Sequence, residues 1–149
     1  MTQEDKELLL KDLCARLPYG VIVNYKDNEY DWHRWKISTL HALSYSKDGT
    51  LIDTDSDGWI DYTEYKGCGM SSGSRPLHLG EVKPYLRPMS SMTEEEREEY
   101  TSITHSQNWL IIGEADKYVD WLNAHHFDYR GLIEKGLAIE VTPENNPYK

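Results

Sequence analysis

The chain has 149 residues, enough for one domain whose continuous core needs no metal ion or disulfide bond. Sixteen basic residues against twenty-six acidic ones give a formal net charge of −10, which argues against duplex nucleic-acid binding through phosphate contacts. The two cysteines, Cys14 and Cys68, make no disulfide framework, and the sequence contains no signal peptide or membrane span. These features predict a cytoplasmic protein with no membrane role.

Aromatic residues supply much of the apolar content. Five Trp and eleven Tyr accompany a single Phe, and each large ring can bury a wide area while keeping a polar group at the rim. This composition favours a small β-rich core with helices packed on it over an all-helical bundle. We therefore predict one α+β domain that spans residues 1–149.

The N-terminal segment 1–18 has the pattern of an amphipathic helix. Thr2 and Asp5 can cap its start, and leucines recur at helical spacing along it. Pro18 and Gly20 then end the helix. The leucine stripe is interpreted as part of the core.

Residues 20–88 have the pattern of short strands separated by turns. The Lys47-Asp48-Gly49 sequence is a strong hairpin signal, and a Gly- and Ser-rich loop is expected at 66–76. Strands are predicted at 20–25, within 30–43, and at 50–52, 59–65 and 81–86. Their spacing predicts a small, bent antiparallel sheet of the SH3-like kind.

Residues 92–141 are predicted to be mainly helical. Thr93 and Glu96 form a capping box, and a second amphipathic segment covers 115–126. Asp128 can cap one further short helix that ends at Gly136. An edge strand is expected at 137–141, and the tail after it is expected to fray.

Three stretches carry a resemblance to known sequences: KELLLKDLCARLPYGV at 6–21, EVKPYLRPMSSMTEEE at 81–96 and DWLNAHHFDYRGLIEKGLAIE at 120–140. Together they resemble a family of small uncharacterised proteins from gut Bacteroidales and from their phages and integrated elements. The resemblance is most specific at KPYLRPMSSMT and HHFDYRGLIEKG. It implies a bacterial or phage origin and a cytoplasmic location, and it brings no assigned activity, cofactor or catalytic residue.

Residues 53–64 match the calcium loop of an EF-hand. Calcium needs several oxygen ligands, which such a loop supplies at positions 1, 3, 5, 7, 9 and 12. Gly58 occupies the sixth position, where the chain must turn sharply. The candidate ligands are Asp53, Asp55, Asp57, the Trp59 carbonyl, Asp61 and Glu64.

The sequence around this loop favours a second interpretation. A turn signal precedes the loop and a Gly- and Ser-rich run follows it, where an EF-hand has its two helices. A β-hairpin that turns at Asp57 and Gly58, with solvated carboxylates, is therefore the alternative to a calcium site.

Histidine and cysteine residues give only a weak metal signal. His125 and His126 are adjacent, so on a helix they point about 100° apart and chelate one ion poorly. A zinc site would have to combine them with His105, Cys14 or Cys68, and the sequence has no CxxC or HxxxH spacing to support this. His126 is interpreted as a structural or capping residue beside Asp128.

A candidate binding strip lies at Lys83, Tyr85 and Arg87, which strand alternation places on one face. The sequence has no GxSxG, HExxH, P-loop or dinucleotide-binding signature. The leading hypothesis is a non-enzymatic protein-binding or accessory protein, such as a phage-borne inhibitor of host defence, whose partner is another protein. The alternatives are a calcium-binding module at residues 53–64 and an enzyme of unknown type.

Overall fold

The computed structural model describes residues 1–26, 35–46, 49–54, 77–105 and 114–149. Within these ranges the chain forms helices and a sheet, which confirms the predicted α+β class with one N-terminal helix and two helices toward the C-terminus. The helices are α1 (Gln3–Arg16), α2 (Glu94–Thr104) and α3 (Glu114–Ala124). The strands are β1 (Ile22–Lys26), β2 (Trp35–Ser46), β3 (Gly49–Thr54), β4 (Leu77–His78), β5 (Val82–Leu86) and β6 (Ile139–Glu140).

The described strands form one six-stranded sheet in the order β4-β3-β2-β1-β5-β6. Four of its pairings are antiparallel, but β5 and β6 pair in parallel, with Tyr85 opposite Ile139. The sheet is therefore mixed, where the sequence predicted a wholly antiparallel one. The chain passes through α2 and α3 between these two strands, and a crossover of that length permits a parallel return. An SH3-like bend remains a prediction.

The predicted hairpin joins β2 and β3. These strands pair antiparallel, and Ser46 lies opposite Gly49 on either side of the predicted turn. The register shifts between Leu40 and Ala42, so the ladder is irregular at that point. The predicted strand at 59–65 and loop at 66–76 lie outside the described residues.

Local sequence signals fix both ends of α1. Thr2 accepts a hydrogen bond from the Asp5 amide, and the Asp5 carboxylate accepts one from the Thr2 amide, so the predicted capping box is present. After the helix, a 3₁₀ turn at Leu17–Tyr19 leads to Gly20, whose φ of 64° lies in the left-handed region that glycine adopts without strain.

The main core lies between α1 and one face of the sheet. Leu9 and Leu13 of α1 are fully buried there, as the predicted leucine stripe required. Val21 and Val23 meet them from the β1 segment. The remaining buried members are Tyr25, Leu40, Leu79, Val82, Leu86, Leu132, Leu137 and Ala138.

A second, smaller apolar cluster joins α3 to α2. Trp121, Leu122 and Phe127 are its buried members, and Tyr100 and Ile103 of α2 pack against them. The Trp121 and Phe127 rings stack with their centroids 5.7 Å apart. None of the described helices is long and apolar enough to cross a membrane.

The segment after α3 departs from the predicted short helix. Residues 125–138 form a series of turns rather than a helix, although Asp128 does act as a cap. Its carboxylate accepts hydrogen bonds from the amides of Leu132 and Ile133 at 2.9 and 2.8 Å. Because both oxygens are used on consecutive amides, Asp128 holds the turn that leads the chain back to β6.

Candidate functional site

Two residues of the predicted binding strip lie on the face of the sheet opposite α1. Lys83 and Tyr85 share this outer face of β5 because they are two residues apart on one strand. Asn24 of β1 lies opposite Lys83, and Ile37 of β2 lies opposite Asn24. Directly opposed residues place their side chains on the same face, so Ile37, Asn24 and Lys83 form one row across three strands. We call these three residues the outer row.

Ile37 is the exposed apolar member of the outer row. It is 53% exposed, whereas its β2 neighbour Ser38 points to the opposite face and is 4% exposed. Alternation along a single strand could not show that Ile37 and Asn24 lie beside Lys83, because only the pairing register of the strands places them in one row.

Tyr85 is buried and forms a hydrogen bond with Asn24 of the outer row. Its side chain is 6% exposed, and its hydroxyl accepts a hydrogen bond from Asn24 Nδ2 at 3.1 Å. The Tyr85 carbonyl accepts a further bond from the Tyr148 hydroxyl at 2.8 Å. Tyr85 therefore positions Asn24, and Lys83 is the more accessible of the two predicted strip residues on β5.

Arg87 leaves the strip and binds α2. Its guanidinium donates to both carboxylate oxygens of Glu96, at 2.7 and 2.8 Å, and lies over the Phe127 ring at 4.3 Å from the centroid. These hydrogen bonds, together with one from the Thr93 amide, hold the pKa of Glu96 below its usual value. Arg87 thus anchors α2. The sequence indicates Glu96 as part of the capping box but does not indicate its pairing with Arg87.

A buried ionic cluster connects α1 to the turn after α3. Asp12 and Arg16 have fully buried side chains, and the carboxylate accepts two bonds from Arg16, at 2.7 and 3.1 Å. Arg130 also makes an ion pair with Asp12, with 3.2 Å between its Nε and Oδ1, the same oxygen that Arg16 contacts at 3.1 Å. Arg16 also donates to the Phe127 carbonyl at 2.7 Å, so one side chain ties the helix to a segment more than a hundred residues away.

Tyr129 lies between the two arginines of this cluster. The Arg130 guanidinium is 4.7 Å from the Tyr129 ring centroid and that of Arg16 is 5.6 Å from it. The Tyr129 hydroxyl accepts from Arg130 at 2.7 Å and donates to Asn123 at 3.0 Å. The stretches at 6–21, 81–96 and 120–140 therefore meet around this cluster and the Arg87–Glu96 pair, which gives these motifs a structural role.

His126 occupies an unusual backbone position at the end of α3. Its φ is 58°, its amide donates to the Asn123 carbonyl, and the Phe127 amide donates to the Leu122 carbonyl. These two bonds define a Schellman motif, in which the left-handed position is normally glycine. A histidine there carries more backbone strain than glycine would, and the residue is buried.

Tyr148 docks the C-terminal tail, which was predicted to fray. Its ring stacks on His126 with the centroids 4.1 Å apart and an angle of 11° between the planes. Its hydroxyl accepts from the Ile22 amide at 3.2 Å and donates to the Tyr85 carbonyl at 2.8 Å. The hydroxyl thereby joins β1 to β5 one residue beyond the last pair of their ladder, Val23 with Pro84.

His125 and His105 make structural contacts, as His126 does. The His125 ring stacks on Trp121, at 4.0 Å between centroids, and His105 Nδ1 lies 3.1 Å from the Thr101 carbonyl. In the part of the chain that the structure describes, no three His, Cys, Asp or Glu side chains are grouped so as to hold a metal ion. Cys14 is an exposed free thiol, and Cys68 lies outside the described residues.

The calcium-loop candidate begins in a strand. Asp53 belongs to β3 and pairs with Ala42 of β2, so a strand lies where an EF-hand has its first helix. The remaining candidate ligands lie outside the described residues: Asp55, Asp57, Trp59, Asp61 and Glu64.

Comparison with known proteins identifies no relative from which a site could be transferred. No protein-family model matches the chain, and its comparisons with curated proteins and with solved structures give no significant match.

Proposed function

We propose that this chain is a non-enzymatic protein-binding or accessory protein of bacterial or phage origin, and that the outer row is its contact surface. The observation that carries the proposal is the 53% exposure of Ile37 on a strand whose other face is packed into the core. Asn24 and Lys83 flank it with polar groups. An apolar centre with a polar rim is the usual composition of a protein–protein contact.

The charge of the chain supports a protein partner over a nucleic acid. The net charge is −10, and four of the exposed residues of α2 are glutamates: Glu94, Glu95, Glu98 and Glu99. The negative electrostatic potential of these residues attracts a partner with a basic surface and raises the association rate, while the outer row supplies the close contact. Inhibition of a cytoplasmic host defence protein is the setting that we propose for this binding.

The test is capture of a partner from the native host with purified wild-type protein and with Ile37→Glu. A stoichiometric partner, confirmed as a direct complex by calorimetry with the purified pair, is expected to bind the wild type. Ile37→Glu is expected to weaken binding by at least about tenfold, because it places a charge at the apolar centre of the contact.

Glu95→Lys on α2 is the matched control, since it also changes an exposed side chain on a different surface. It is expected to reduce the association rate only slightly. Equal affinity of wild type and Ile37→Glu for the captured partner would contradict the outer row as the contact surface. Arg87 is unsuitable for charge reversal, because such a change would break its internal ion pair with Glu96.

A calcium-binding module at residues 53–64 is the second proposal, and the spacing of oxygen ligands in the sequence is what favours it. If the loop binds calcium in the folded protein, millimolar calcium is expected to raise the melting temperature. Asp53→Ala and Glu64→Ala are expected to abolish the rise. Differential scanning fluorimetry with calcium, with magnesium and with a chelator measures this effect. A melting temperature that calcium leaves unchanged would rule the proposal out.

A further inference from the structure

The Tyr148 side chain joins the C-terminal residues 142–149 to the body of the protein by long-range hydrogen bonds. Asn145, Asn146 and Lys149 make short-range hydrogen bonds that give the segment its own turn. The two hydrogen bonds of the Tyr148 hydroxyl instead reach Ile22 and Tyr85, far away in the sequence. Loss of the Tyr148 contacts would therefore free the segment as a unit.

Tyr148 rests on the ring of a buried titratable residue, His126. His126 is 8% exposed, and its Nδ1 has no hydrogen-bond partner among the described residues. A protonated ring would carry N–H groups at both nitrogens, so a buried donor would lack an acceptor. The ring would also lose solvation for its new charge while Tyr148 covers it.

Nearby charged and titratable groups also oppose the protonation of His126. Arg16 reaches it from α1, Arg87 from the end of β5, and His125 adjoins it at the end of α3. Burial has the largest effect, followed by Arg16, His125 and Arg87 in that order, and together they lower the pKa of His126 from 6.5 to about 4. Tyr148 is the fourth titratable neighbour, and burial raises the pKa of its hydroxyl, so it stays neutral and cannot balance the charge.

We propose that residues 142–149 form an acid-released latch, in which His126 is the trigger and Tyr148 is the part that detaches. In the closed state the Tyr148 ring covers neutral His126 and its hydroxyl bridges β1 and β5. Protonation of His126 favours the open state, in which the ring of His126 is solvated and the bridge between Ile22 and Tyr85 is lost. This device does not depend on the proposed partner.

Amide hydrogen exchange of the full-length protein, followed by NMR, tests the latch. The Ile22 amide reports the closed state because it donates to Tyr148. Its protection factor is expected to fall by about tenfold between pH 7 and pH 5. A larger fall would require the pKa of His126 to return fully to 6.5 in the open state, and the nearby charges of Arg16 and Arg87 prevent this. The Leu40 amide, which donates to Val21 away from the tail, is expected to keep its protection factor.

Two variants complete the test. His126→Phe keeps a ring under Tyr148 but cannot take up a proton, so its Ile22 protection factor is expected to be independent of pH. Tyr148→Leu is expected to show low Ile22 protection at both pH values. The latch is refuted if Ile22 and Leu40 lose protection together in the wild type, if neither changes, or if His126→Phe keeps the pH dependence. The wild-type comparison of the two amides decides the matter even if His126→Phe does not fold.

Discussion

Replacing Asp12 with alanine is expected to destabilise the protein by about 3–5 kcal/mol, the cost of removing one partner from a buried ion pair. Asp12 is the carboxylate that both Arg16 and Arg130 contact, and the Arg16 side chain is fully buried. Without Asp12, the guanidinium groups of Arg16 and Arg130, which both contact its Oδ1, would lie close together with no balancing charge. Urea denaturation followed by tryptophan fluorescence measures the change in the free energy of unfolding.

Lys11→Ala is the matched control for this prediction. Lys11 precedes Asp12 on α1 but is exposed, so its replacement is expected to change the free energy of unfolding by less than about 0.5 kcal/mol. The double variant Asp12→Leu with Arg16→Met is expected to be more stable than Asp12→Ala, because it removes the charge that would be left unpaired. If Asp12→Ala lowered the free energy of unfolding by less than about 1 kcal/mol, Asp12 would not be needed to balance the charge of the two arginines.

Stability is expected to fall by about 2 kcal/mol from pH 7.5 to pH 5 through His126 alone. Burial and the nearby Arg16 lower the pKa of this histidine in the folded protein to about 4, from an ordinary value of 6.5. Between these two values the unfolded chain binds more protons than the folded protein does. Lowering the pH therefore favours unfolding, and the contribution is recovered as the pH rises through 6.5.

Urea denaturation at a series of pH values above 5 measures this dependence. Glu96 does not contribute in this pH range. Its pKa is lowered from an ordinary value of 4.5, so it affects stability only when the pH falls below about 4.5. His126→Asn is the control, since asparagine tolerates the left-handed conformation and does not titrate. Between pH 7.5 and pH 5, the free energy of unfolding of this variant is expected to fall by about 2 kcal/mol less than that of the wild type. An equally steep dependence in this variant would assign the effect to other groups.

The caps and the helices were predictable from the sequence because their signals are local. Thr2 with Asp5, and Thr93 with Glu96, are three residues apart, so each capping box is closed by neighbours in the chain. The leucine stripe of α1 likewise needed only helical periodicity to identify its buried side. The α+β class followed from the same reasoning, applied to alternating segments and turn residues.

The candidate site was only partly predictable. Alternation correctly placed Lys83 and Tyr85 on one face of β5, but it carried no information on what covers that face. Tyr85 is buried because Asn24 and Tyr148 contact it, and Arg87 turns away because Glu96 offers it a carboxylate. Ile37 enters the site through the register of β1 with β2, which no single segment of sequence specifies.

The sequence by itself therefore determined the α+β class, the three helices, the N-terminal caps of α1 and α2 and the buried side of α1. It also predicted a short helix after Asp128, where the structure has turns. The tertiary structure decided the parallel return of β6, the ionic cluster at Asp12 and the docking of Tyr148. In the last two cases, the groups that meet are separated by 111 residues, from Arg16 to Phe127, and by 126, from Ile22 to Tyr148. Local preferences act over a few residues, whereas contacts at such separations exist only once the whole chain has packed.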